Sequence, residues 1–290
     1  MRIVIDARYV NDHFPGIGRY VYNLLLALGE LDQPHSFVVL YNPALANTRY
    51  DMAALARSPT LRLVATRLRL FSAGDQLILP GVLRTMQADL YHAPYYIRPY
   101  AGLPCPSITT LYDIIPRRFP EEVSLRARRL FNLLTRLAIR TSRHLLAISV
   151  SARDDLIAAY RIPADRITVT PLAADPRYHP QPPEAITAVR AKYQLPERYI
   201  LSLASNKPHK NLVALVEAFA QLNQTRRQEE KETRSSPFET VSGISLSELA
   251  ESCEEFLSDT KPMWHDTLQS VLRKSMGIKP SEAKRSDALA

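Results

Sequence analysis

The chain has 290 residues, 46% of them hydrophobic, enough length and apolar content for two domains of ordinary size. Its charge of +8 is uneven: residues 224–290 hold 10 basic and 12 acidic side chains, leaving 27 and 17 in front of them, and so basic a front favours phosphate-bearing small molecules, an acidic membrane face or nucleic acid. No run reaches the roughly eighteen apolar residues of a membrane span, Asp6 interrupts the N-terminus where a signal peptide would stay apolar, and Cys105 and Cys253 belong to no Cys-x-x-Cys or Cys/His cluster, so a cytoplasmic protein without a disulfide framework or metal site is expected.

Arg2 to Asp6 reads as a first strand, and Gly18 to Leu28 as a helix with apolar residues at helical spacing. The loop between them ends in Pro15-Gly16-Ile17-Gly18. There the glycines either serve a turn that needs positive φ or let the backbone approach a ligand at the helix start. Phe37–Tyr41 and Leu61–Ala65 are further strands, with 44–57 helical or irregular between them, and Gln76–Gln87 is a helix broken by Pro80. Asp89–His92 is a buried-type strand after which Ala93 to Pro99 leaves the sheet. Ser107–Tyr112 is another, ending at Asp113. His92 and Asp113 therefore both stand where strands exit, the place where open α/β sheets collect ligands. A hydrogen-bonded structural histidine is the plainer reading of His92.

Ser124 to Arg143 is a long helix in which six arginines surround Leu130, Leu133, Leu134 and Leu137. This is either a solvated face over a core stripe or a basic amphipathic helix that lies on anionic membrane. His144–Ser149, Val150–Tyr160 and Ile167–Thr170 continue the alternation as strand, helix and strand. That rhythm predicts an α/β fold: a doubly wound, mostly parallel, Rossmann-like sheet over residues 1–175 with helices on both faces. The proline-rich stretch that follows predicts a linker over 176–197.

Tyr199 to Ala204 reads as a buried strand, Asn206 to Pro208 as a polar turn, and Asn211 to Leu222 as a helix. Such a joint offers unpaired N–H groups and about half a positive charge, to which Lys210 adds an ammonium. A phosphate fits there, although first-turn lysines are mostly just solvated. This strand–helix unit, residues 198–223, has no second doubly wound domain behind it. From residue 224 the chain is a charged linker followed by helices at about 245–257 and 262–276.

The segment Ser205-Asn-Lys-Pro-His-Lys-Asn-Leu resembles the opening of the C-terminal domain of family 4 glycosyltransferases, which have the GT-B fold. Gly-Ile-Gly-Arg-Tyr after strand one, Tyr-His-Ala-Pro-Tyr-Tyr around His92 and Thr-Leu-Tyr-Asp-Ile-Ile-Pro-Arg-Arg-Phe-Pro-Glu around Asp113 match the same family. The resemblance implies retaining transfer of a sugar from a nucleotide-sugar donor to a glycan or lipid-linked acceptor, without a cofactor or nucleic acid. It assigns His92 and Asp113 to catalysis and Gly16, Gly18, Ser205 and Lys210 to the donor. Tyr95, Tyr96 and Arg98 are candidates for the acceptor side, by stacking on a sugar or pairing with a phosphate. The pattern departs from the family at two points. Tyr112 stands where many members have histidine, and the chain has neither a Gly-Phe-Gly turn nor two glutamates separated by seven residues. An inactive, truncated or fused remnant is the rival expectation.

Overall fold

The computed structural model describes residues 1–233 except 176, 197, 198 and 206. Seven parallel strands form one sheet: β1 (Arg2–Asp6), β2 (Ser36–Tyr41), β3 (Leu61–Ala65), β4 (Leu90–Ala93), β5 (Ser107–Leu111), β6 (His144–Ala147) and β7 (Ile167–Val169). The helices are α1 (Pro15–Glu30), α2 (Met52–Ala56), α3 (Ala73–Leu77), α4 (Leu79–Thr85), α5 (Ile115–Arg118), α6 (Leu125–Thr141), α7 (Val150–Tyr160), α8 (Pro183–Lys192) and α9 (Leu212–Thr233). Side chains cap several starts: Asp51, Ser72, Ser124 and Ser149 each accept a hydrogen bond from a backbone N–H two or three residues on.

The order β3-β2-β1-β4-β5-β6-β7 makes the expected doubly wound sheet. Both faces of the central strands are buried, and successive side chains point to opposite faces. Ile5, Phe37 and Val39 pack with Val21 and Leu25 of α1 and Leu55 of α2. Their neighbours Val4, Val38 and Leu40 pack on the other side with Leu79 and Leu83 of α4. A third core joins Leu111, Leu145, Ala147 and Ile167 to Ile139 of α6 and Leu156 of α7. Strand order reverses between β1 and β4, where Ile5 pairs with His92, and this switch point sets Asp6 and His92 at neighbouring carboxyl ends.

The chain divides into two compact units, Met1–Ala188 and Val189–Ala290. Four details differ from the sequence reading. The presumed linker contains α8, whose Ala and Lys/Arg content is helix-forming. Residues 199–204 form no strand: Leu201 and Leu203 are 80% and 99% exposed, because no partner strand lies beside them among the described residues. α9 continues through the charged stretch to Thr233, through Gln, Arg, Glu and Lys, all good helix formers. The buried stripe of α6 is Phe131, Thr135, Ala138 and Ile139, not the leucines, of which Leu130 and Leu133 are 54% exposed. The helices expected at 245–257 and 262–276 lie outside the described residues.

Candidate functional site

His92 ends up on the strand that borders the switch point, 3% exposed. Its Nε2 shares a 2.8 Å hydrogen bond with Thr110 Oγ1 of β5, and that hydroxyl lies 3.4 Å from the Tyr20 hydroxyl of α1. Burial pushes the imidazole down to about 4, against a smaller upward pull from Asp6. His92 is therefore neutral at pH 7, able to accept or donate one hydrogen bond but not to carry a standing positive charge.

Aromatic rings surround this strand end. Tyr95 lies against Tyr9, Tyr96 and Tyr112, with centroids 5.7, 4.2 and 6.1 Å away, and Tyr112 meets Tyr20 edge-on at 5.7 Å. Tyr9 also packs on Phe14 just before α1, so the segments that follow β1, β4 and β5 converge with the start of α1. Tyr95 and Tyr96 are half-buried, with phenol groups pushed up by burial, and they act here as neutral hydrogen-bonding and stacking surfaces. Asp113 is exposed two residues past β5, and its Oδ1 accepts from the Ile115 N–H at 2.9 Å, fixing the turn into α5.

Arg98 is placed differently from the expectation of an open acceptor surface. It is fully buried, with its guanidinium donating to Thr109 Oγ1 at 2.9 Å, Ser142 Oγ at 2.7 Å and the Pro99 carbonyl at 3.0 Å. It ties the loop after β4 to β5 and to the end of α6.

The two glycines differ as well. α1 begins at Pro15, so both lie in its first turn with ordinary helical φ, and the positive-φ reading falls. A Cβ on Gly18 would sit 2.7 Å from the Tyr9 carbonyl and 2.9 Å from the Tyr50 hydroxyl, so that position is small for packing. Gly16 faces open space, with nothing within 4 Å. In the 189–290 unit Ser205 and Lys210 are both exposed. Lys210 closes a short turn, Pro208–Lys210, and Asn211 is left-handed (φ 52°) before α9 starts. It thus stands just ahead of the helix rather than in its first turn.

One buried group escaped the sequence reading. Asp6, at the carboxyl end of β1, accepts from Arg8 Nε at 2.8 Å and from the Tyr91 hydroxyl at 2.8 Å, and the same Arg8 lies 2.7 Å from Asp75 of α3. Two carboxylates against one guanidinium leave the cluster short of positive charge. Burial, only partly offset by Arg8, pushes Asp75 up to about 6. An acid closing a buried strand, with an arginine two residues on, was the available signal. Its second acid comes from far along the chain and carries no local mark.

A family model described as "Glycosyltransferase Family 4" matches residues 15–178. An Escherichia coli O-antigen chain mannosyltransferase B is 26% identical over 230 residues, covering 76% of this chain and 60% of that protein. Among solved structures, Anabaena HepE in complex with UDP-glucose superposes with a TM-score of 0.51 at 17% identity, covering 76% of this chain and 57% of the other. A Rickettsia africae glycosyltransferase covers 77% and 57% at 14% identity, with a TM-score of 0.44. At such identities the HepE likeness speaks for the GT-B fold alone. The chain spans about 60% of the length of the curated relative it matches.

Proposed function

Because the chain belongs to glycosyltransferase family 4, we propose that it is a glycosyltransferase moving a sugar, with retention, from a nucleotide-sugar donor to a hydroxyl acceptor. The family match over residues 15–178 carries this reading, since it spans His92, Tyr95, Tyr96 and Asp113 in one unit. In this reading neutral His92 hydrogen-bonds the sugar being transferred, oriented by Thr110. Tyr95 and Tyr96 offer ring faces and hydroxyls to the acceptor, and Asp113 stands at the rim. Departure of a nucleoside diphosphate puts charge on its phosphate oxygens, which the Ser205 hydroxyl and the Lys210 ammonium of the 189–290 unit would stabilise. That HepE is seen with UDP-glucose supports a nucleotide sugar as donor.

A second reading has a specific observation behind it. Leu201 and Leu203, apolar residues suited to a sheet interior, are exposed, and the paired glutamates expected further on are absent from the sequence. On this reading the chain binds diphosphate and acceptor but turns over little. Calorimetric titration of a nucleoside diphosphate should show weak binding that Lys210→Ala weakens further; equal affinities would remove Lys210 from the donor site. Release of nucleoside diphosphate from a panel of nucleotide sugars then separates the two readings.

A further inference from the structure

The 17 residues of α6 carry five arginines and no acid, and the side that faces the sheet is settled by the burial of Phe131, Thr135, Ala138 and Ile139. At 3.6 residues per turn the opposite side carries Arg126, Arg129, Leu130, Leu133, Arg136, Leu137 and Arg140. The four arginines on it are exposed and make no ion pair among the described residues. Leu130 and Leu133 are each 54% exposed, and Leu125, at the helix start, is 50% exposed. The nearest acids in sequence, Glu121 and Glu122, precede the helix in the turn Pro120–Glu122.

In water this face is unfavourable on two counts. Arginines one turn apart, as at 136 and 140, repel each other where an acidic partner would attract. Leucines on the same surface stay hydrated rather than buried. An ordinary solvated helix interleaves both signs of charge; this one has only one sign, set beside a leucine stripe. Both costs are relieved by one kind of partner, an apolar layer bordered by negative charge. Leucines enter the layer while the arginine stems lie along it and the guanidiniums reach anionic headgroups. The helix is about 25 Å long and is held along its other side by the sheet, so it lies in the plane of a surface. Among the described residues no helix is long and apolar enough to cross a membrane.

We infer that the outer face of α6 docks the protein onto an anionic lipid bilayer, with Leu130 and Leu133 inserted and Arg126, Arg129, Arg136 and Arg140 on the headgroups. This rests on α6 alone and stands or falls separately from the transferase reading. Its use to such an enzyme is plain: an acceptor carried on a lipid is then met in two dimensions.

The test is sedimentation of the full chain with vesicles of phosphatidylcholine alone or with phosphatidylglycerol added. Binding is expected only to the anionic vesicles and is expected to weaken with salt. Each arginine changed to glutamine should cost about fivefold in partitioning, so Arg129→Gln with Arg136→Gln loses about 25-fold, whereas Arg129→Lys with Arg136→Lys retains binding. Leu130→Ser or Leu133→Ser should cost about fivefold to tenfold. These side chains are exposed, so unchanged far-ultraviolet circular dichroism is expected of every variant. The inference is overturned by equal binding to neutral vesicles or by variants that bind as the parent does. It is also overturned if vesicles do not bind while Leu130→Ser abolishes self-association, which makes the face a contact between copies, or while the arginine variants abolish nucleic-acid binding.

Discussion

His92 and Asp75 are buried ionisable groups whose shifts oppose each other. His92 falls from its ordinary 6.5 to about 4 because burial disfavours the imidazolium. Between those values the unfolded chain binds the proton and the native one does not. The stability from neutral His92 is thus complete above pH 6.5 and is lost as pH falls toward 4, by about 3 kcal/mol at 1.4 per unit. Asp75 rises from 3.8 to about 6, again chiefly through burial. Here the native state holds the proton more tightly, so stability falls as pH rises from about 4 to 6. The two windows overlap, and the parent protein should show a nearly flat profile across them. Urea melts at successive pH values should show Asp75→Asn gaining stability as pH rises through this range, and His92→Gln losing it. Two variants with parallel profiles would mean that the burial of these groups does not govern acid stability.

Helix α1 offers a test of what its glycines are for. Ala at position 18 would place a methyl 2.7 Å from the Tyr9 carbonyl, a backbone atom that cannot swing away, and should cost about 1–3 kcal/mol. Ala at position 16 meets nothing and gains up to about 1 kcal/mol of helix propensity. Thermal melts should therefore move in opposite directions. If the backbone at Gly16 approaches the donor, Gly16→Ala raises the melting temperature and still weakens nucleoside diphosphate binding; unchanged binding would leave Gly16 without a role at the site. In α6 the same local rules fail to choose a face. Leu130, Leu133, Leu134 and Leu137 have helical spacing, and so do Phe131, Thr135, Ala138 and Ile139; only the latter meet the core.

At the scale of the molecule, the unit 1–188 is a finished sheet with three packed cores, whereas the apolar residues around Leu203 are left in solvent. Holding sugar, diphosphate and acceptor in reactive geometry can supply roughly 7–11 kcal/mol of a barrier. The glutamates that do this holding in the family, and the Gly-Phe-Gly turn before them, are absent from the sequence, so the chain should show little or no turnover. Steady-state release of nucleoside diphosphate by the purified chain checks this. Turnover near the roughly 1–1000 per second of ordinary enzymes would mean that a complete donor site forms.

Alternation of apolar runs with helical patterns was enough to predict the seven parallel strands, and Pro80 marked the break between α3 and α4, because each of these signals is local. His92 at a strand end was legible for the same reason. Its neutrality was not: that follows from burial between packed elements, which only the folded sheet provides. Arg98 looked like a surface cation and proved to be a buried tie between Thr109 and Ser142, partners 11 and 44 residues away that no local pattern announces. The Asp6–Arg8–Asp75 cluster and the outward leucines of α6 are likewise long-range results. A sequence specifies which residues suit an interior. Which of them find a partner there is decided only when the sheet closes and one side of each helix is taken.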